Sequence, residues 1–156
     1  MEFWSPTKGK LTLEETIEDI RAYIGQLPAT AYKLVIGSDS QSGSNTCFVT
    51  AVIVQRIGNG ARFYYQKKTQ RVIKSLRQKI FYETSLSLEL GCQIYQRLRQ
   101  AGLNDIRVEI HLDVGLQGPT KELVREVTGM VNGNGFPAKI KPDAFGASVV
   151  ADKYTK

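Results

Sequence analysis

The chain has 156 residues, of which 42% are hydrophobic and 23% charged, with a formal net charge of +6 and a pI near 9.4. This composition excludes a disordered chain, and two cysteines without metal-ligand spacing exclude a disulfide scaffold or a zinc module. No apolar run approaches membrane-spanning length and the start resembles no signal peptide, so the expectation is one cytoplasmic domain over residues 1–156, with 1–30 as an N-terminal extension carrying one helix.

Residues 1–10 read as an irregular lead-in. Thr12-Leu13-Glu14-Glu15 is a capping box. It opens a helix with Leu13, Ile17, Ile20 and Ile24 on one stripe, ended by Gly25 and Pro28. Its acidic residues suit the helix dipole and a solvated face.

The first strand of the body covers about 33–39. Leu34, Val35 and Ile36 form a short apolar run suited to a strand buried on both faces, and Asp39 stands where the run ends. A carboxylate at the mouth of a central strand can hold a divalent cation, or it can simply cap the turn that Gln41 to Asn45 promises. The second strand, Thr46 to Ile57, is dense in β-branched residues. Gly58-Asn59-Gly60 turns it into a third, Ala61 to about Lys68, giving a three-strand antiparallel meander.

No acidic residue occurs from Gln55 to Tyr82, while Arg56, Arg62, Lys67, Lys68, Arg71, Lys74, Arg77 and Lys79 all do. The window is a solvated face with a lysine-guarded edge strand, or a phosphate-tracking surface with Tyr64 and Tyr65 available to stack on bases. The missing acidic partners favour nucleic-acid contact by Lys67, Lys68, Arg71, Lys74 and Arg77.

A long helix is expected from about Val72 to Ala101, stopped by Gly102. Ile73, Leu76, Ile80, Ser87, Leu90, Ile94 and Leu98 give its inward stripe, and Glu83 falls on that stripe. A carboxylate on an apolar face needs a reason, because burying an unpaired charge is costly. Glu89 lies further round, on a mixed face, and competes with Glu83 as the functional acid.

The fourth strand, Ile106 to Asp113, puts Val108, Ile110 and Leu112 on one side and Glu109, His111 and Asp113 on the other. Reached from a helix, it can lie parallel to the first, so that Asp39 and Asp113 emerge at the same edge. His111, the sole histidine, is a partial-core residue or a group supporting Asp113. A helix follows Gly118-Pro119-Thr120, then a short strand Ala138–Lys141, then a last helix of small residues starting near Asp143. Asp143 can be an N-cap or a ligand, with Asp152 as the alternative. Both cysteines, Cys47 and Cys92, lie in apolar patterns and read as buried thiols.

This order of elements and acids resembles the ribonuclease H fold. Locally the chain is similar to the YkuK-type ribonuclease H-like family, in Ile36-Gly37-Ser38-Asp39-Ser40-Gln41, Tyr82-Glu83-Thr84, His111-Leu112-Asp113-Val114-Gly115, and Lys139-Ile140-Lys141-Pro142-Asp143-Ala144-Phe145 through Ala151-Asp152-Lys153-Tyr154-Thr155. The resemblance implies an α/β ribonuclease H-like fold: a mixed central five-stranded sheet, made of the meander plus two parallel strands, flanked by helices, with an extra N-terminal helix. It further implies two-metal phosphodiester hydrolysis of RNA, DNA or a hybrid, with Asp39, Glu83, Asp113 and Asp143 as carboxylates for Mg²⁺ or Mn²⁺ and Asp39 bridging the two ions. A non-catalytic nucleic-acid-binding module on the same fold is the alternative, and a scaffold whose acids are structural caps is a third.

Overall fold

In a computed structural model, which describes residues 2–144, a mixed sheet forms the spine. Its strands are β1 (Glu2–Ser5), β2 (Gly9–Thr12), β3 (Tyr32–Ser42), β4 (Asn45–Arg56), β5 (Ala61–Arg71), β6 (Arg107–Gly115) and β7 (Ala138–Lys141). Its helices are α1 (Leu13–Gln26), α2 (Leu76–Gln100) and α3 (Val124–Gly133). The sheet order is β2-β1-β5-β4-β3-β6-β7, with β3, β4 and β5 antiparallel and β6 and β7 added in parallel to β3. The meander and the parallel pair stand as expected, but among the described residues the sheet has seven strands rather than five.

The extra pair is the N-terminal hairpin, where an irregular lead-in was expected. Alternation explains it: Phe3 and Ser5 are buried while Glu2 and Trp4 face out. The Ser5 hydroxyl accepts from the backbone N–H of Lys8 at 3.1 Å and closes the turn around Pro6. β1 joins β5 at Trp4 opposite Tyr65, so β5 is not the open edge its lysines suggested.

Thr12 ends β2 and caps α1 with the full reciprocal box. The α2 helix begins at Leu76 rather than Val72, because Ser75 caps it and the preceding Ile73 N–H donates to Thr46 Oγ1 instead. Leu76 is therefore exposed and not part of the inward stripe. At the other end Leu103 N–H reaches Leu98 C=O and Gly102 adopts φ 82, a Schellman stop. A single 3-10 turn at Lys121–Leu123 precedes α3, where a continuous helix from Pro119 was expected.

One apolar core lies between the sheet and the helices: Leu34, Ile36, Val52, Val54 and Ile110 from the strands meet Ile20, Ile80, Ile94 and Val127 from the helices. A Cβ on Gly91 would sit 3.1 Å from Ile110 Cδ1 and 3.7 Å from Ile36 Cδ1, so α2 lies close on the parallel pair there. On the other sheet face Val35, Ala51 and Ile53 form a smaller cluster against Phe63. The thiols depart from expectation: Cys47 is half-buried and Cys92 exposed. The last helix expected near Asp143, and Asp152 within it, lie outside the described residues.

Candidate active site

The parallel pairing of β3 and β6 ends at Gly37 opposite His111. Two positions further on, each strand carries an aspartate, Asp39 and Asp113, where the strands part. Both strands run on past these residues, to Ser42 and Gly115, so the carboxylates stand where the pairing opens and not where the strands stop. Carboxyl ends of parallel strands are the usual mouth of a site in such sheets.

Glu83 approaches from the helix side. It is 7% exposed, and the Ser40 hydroxyl donates to its Oε2 at 2.5 Å. One helical turn away, Ser87 Oγ lies 2.7 Å from Ser38 Oγ, which also meets Thr50 Oγ1 at 2.9 Å. The match is geometric: two strand residues span about 6.6 Å, and four helical residues rise about 6 Å. Ser38 and Ser40 therefore meet Ser87 and Glu83 in register. Burial pushes the Glu83 carboxyl up to about 8, Asp39 and Asp113 push the same way, and the Ser40 hydrogen bond and Lys79 oppose them. Glu89 is exposed, so of the two competing glutamates it is Glu83 that shares a field with the aspartates.

Asp113 Oδ1 pairs with Lys141 Nζ at 2.7 Å, across from β6 to β7. Asp143 is exposed in the turn after β7, two positions beyond Lys141. Ser38, Glu83, Thr84, His111 and Asp113 line an inner cavity of about 10 Å³, room for about one water. His111 is buried, and its Nε2 lies 3.1 Å from Glu109 Oε2. Glu109 also meets Lys33 at 3.5 Å and Arg107 at 3.3 Å. Burial drives its carboxyl up, but His111, Lys33 and Arg107 together outweigh that and hold it below the ordinary value.

The donor chemistry suits a hard divalent cation: carboxylate oxygens, with buried Glu83 in the field of Asp39 and Asp113. Among the described residues, however, no three acidic, histidine or cysteine side chains converge closely enough to hold an ion. Ser40 and Lys141 occupy Glu83 and Asp113 in this arrangement. Neither partner was legible from sequence, because each contact joins elements distant along the chain.

The basic surface is only partly as expected. Lys67, Lys68, Arg71 and Lys74 are exposed. Arg77 pairs with Glu126 at 2.8 Å, and Arg62 with Asp19 at 3.3 Å. The missing acids are supplied by distant elements. Tyr64 is fully buried and donates its hydroxyl to Asp19 Oδ2 at 2.5 Å, so its ring is not available for stacking, while Tyr65 is half-buried on the opposite face. Trp4, 42% exposed beside this surface, was missed because the hairpin was not foreseen.

The mixed sheet with its parallel β3–β6 pair is that of an α/β protein, and a family model described as Ribonuclease H-like matches residues 15–156. The chain belongs to this family. It is 36% identical, over 99% of its length and 96% of the relative's, to a protein of Bacillus subtilis (strain 168) described as "Uncharacterized protein YkuK", which places it in the YkuK-type branch. No solved structure gives a significant match. The family suggests a nuclease or a related role with nucleic acid. No described helix is long and apolar enough to cross a membrane.

Proposed function

We propose that the protein is a divalent-metal-dependent nuclease that hydrolyses phosphodiester bonds of RNA, DNA or a hybrid. The observation that carries this reading is Glu83, a buried carboxyl in the field of Asp39 and Asp113 at the parting of two parallel strands. Asp39, Glu83 and Asp113 would hold Mg²⁺ or Mn²⁺, with Asp143 as a fourth ligand from the turn after β7. When bound, a pair of such cations neutralises charge at the phosphate and lowers the pKa of the attacking water. The chain's own part is positional. Ser40 fixes the Glu83 rotamer, and the Ser38–Ser87 contact fixes the height of α2 on the sheet. Lys141 pairs with Asp113 at 2.7 Å and shares its charge.

A second reading, a binding module without catalysis, is favoured by one observation: the described acidic side chains do not converge on a common point. Incubation of single-stranded and duplex RNA, DNA and hybrid with the protein in Mn²⁺ or Mg²⁺ separates the two. Cleavage that chelation stops and that Asp39→Asn removes supports the nuclease. Salt-sensitive binding without cleavage of any substrate supports the module.

A further inference from the structure

A groove of about 300 Å³ opens between the hairpin, β4, β5 and α2, lined among others by Trp4, Phe48, Gln66, Lys67, Lys68 and Leu86. A second hollow of about 160 Å³ shares Thr50, Gln66, Lys68 and Leu86 with it and extends it along α2. The lining combines one exposed aromatic side chain, Trp4, with the aliphatic Leu86, one side-chain amide and two exposed lysines, over a floor that includes the fully buried Phe48. That is the chemistry of a nucleobase flanked by its phosphates. The carboxylates at its borders are few: Glu2 is engaged by Lys10 at 3.0 Å, and Glu89 lies in the extension.

The groove leads to the acidic site. Phe48 stands directly opposite Ser40 in the β3–β4 register, and Ser40 holds Glu83. The Phe48 ring stacks on Tyr82 with centroids 4.5 Å apart, next to Glu83 along α2. Thr50, on the groove wall, shares its hydroxyl with Ser38 of the inner cavity. The hairpin that brings Trp4 here lies ahead of the residue at which the family match begins.

We propose that this groove is a binding subsite for single-stranded nucleic acid, with a base stacked on Trp4 and the adjoining phosphates on Lys67 and Lys68. The subsite rests on the reading of the protein as one that acts on nucleic acid, and it makes a single strand the class of substrate delivered to Glu83. Trp4 is the chain's one tryptophan, so its fluorescence reports this groove alone.

The test titrates the full chain, in chelator, with oligo(dT) and oligo(U) of about 12 nucleotides. It follows Trp4 emission and, with end-labelled strands, anisotropy. Saturable quenching by single strands but not by a duplex is expected. Trp4→Ala should weaken binding roughly tenfold, Trp4→Phe should keep most of it, and the Lys67→Ala/Lys68→Ala pair should weaken it and flatten its salt dependence. Thermal melts of each variant show that the hairpin remains folded. Single strands that bind with no change in Trp4 emission and with equal affinity for Trp4→Ala would overturn the subsite while leaving the nuclease reading in place. Self-association that Trp4→Ala abolishes, without quenching by oligonucleotide, would assign the groove to a second copy. No anisotropy change at low salt would overturn both the subsite and the nucleic-acid reading. Quenching without metal-dependent cleavage would keep the subsite and remove the nuclease.

Discussion

Among the described carboxyls, Glu83 is the one least at ease with its surroundings. Its folded pKa of about 8 stands above the ordinary 4.5, so the folded state holds a proton that the unfolded chain has released. That contribution to stability is complete below about pH 4.5 and is lost as pH rises through about 8. Glu83→Gln should therefore melt several degrees above the wild type at about pH 8.5 and level with it near pH 4, read by thermal denaturation across pH. Glu109 behaves in the opposite sense. Its carboxyl is held below the ordinary value by His111, Lys33 and Arg107, so its contribution is present above the unfolded pKa and fades as pH falls. Glu109→Ala should cost about 1–3 kcal/mol in a urea melt at neutral pH, because it removes the carboxylate that buried His111 meets at 3.1 Å and that Lys33 and Arg107 share. The helical phase of Glu83 made its burial legible in sequence. The Ser40 donor was not legible, since nothing in a linear pattern pairs residues so far apart.

Each element answers first to local chemistry. The capping box at Thr12, the Gly102 stop and the Gly58-Asn59-Gly60 turn all formed where their residues demanded. The hairpin did not announce itself. Its strands are only four residues each, and Pro6 reads as a breaker although it sits in the turn and not in the ladder. The start of α2 shifted for a related reason: Thr46 took the Ile73 N–H that a longer helix would have used. Where elements meet, fit decides. Gly91 lets α2 lie on Ile110, and Gly91→Val should destabilise the protein by roughly 1–3 kcal/mol through overpacking, measured as a lower urea midpoint with unchanged slope.

The net charge of +6 acts over the whole molecule. Lys67 and Lys68 remain exposed at the groove, and Arg71 and Lys74 are exposed further along the chain, whereas Arg62 and Arg77 are neutralised by Asp19 and Glu126. Binding to a labelled single strand should therefore weaken steeply between about 50 and 200 mM salt, and Arg77→Ala should change that slope less than Lys68→Ala. Asp39→Asn should bring metal-dependent cleavage to background while leaving that binding intact, measured on the same strand with and without Mn²⁺. This follows because Asp39 stands at the parting of β3 and β6 and not on the basic face.

The family, the class of sheet and the burial of Glu83 were contained in the sequence by itself, because strand alternation, helical phase and short motifs are local along the chain. Only the tertiary structure decided that Tyr64 is buried and Trp4 exposed, that Arg62 and Arg77 find acids, and that Ser40 and Lys141 engage the carboxylates. Each of these depends on which residues the sheet register and the helix docking bring side by side. Contacts between positions tens of residues apart leave no periodic trace in a single chain.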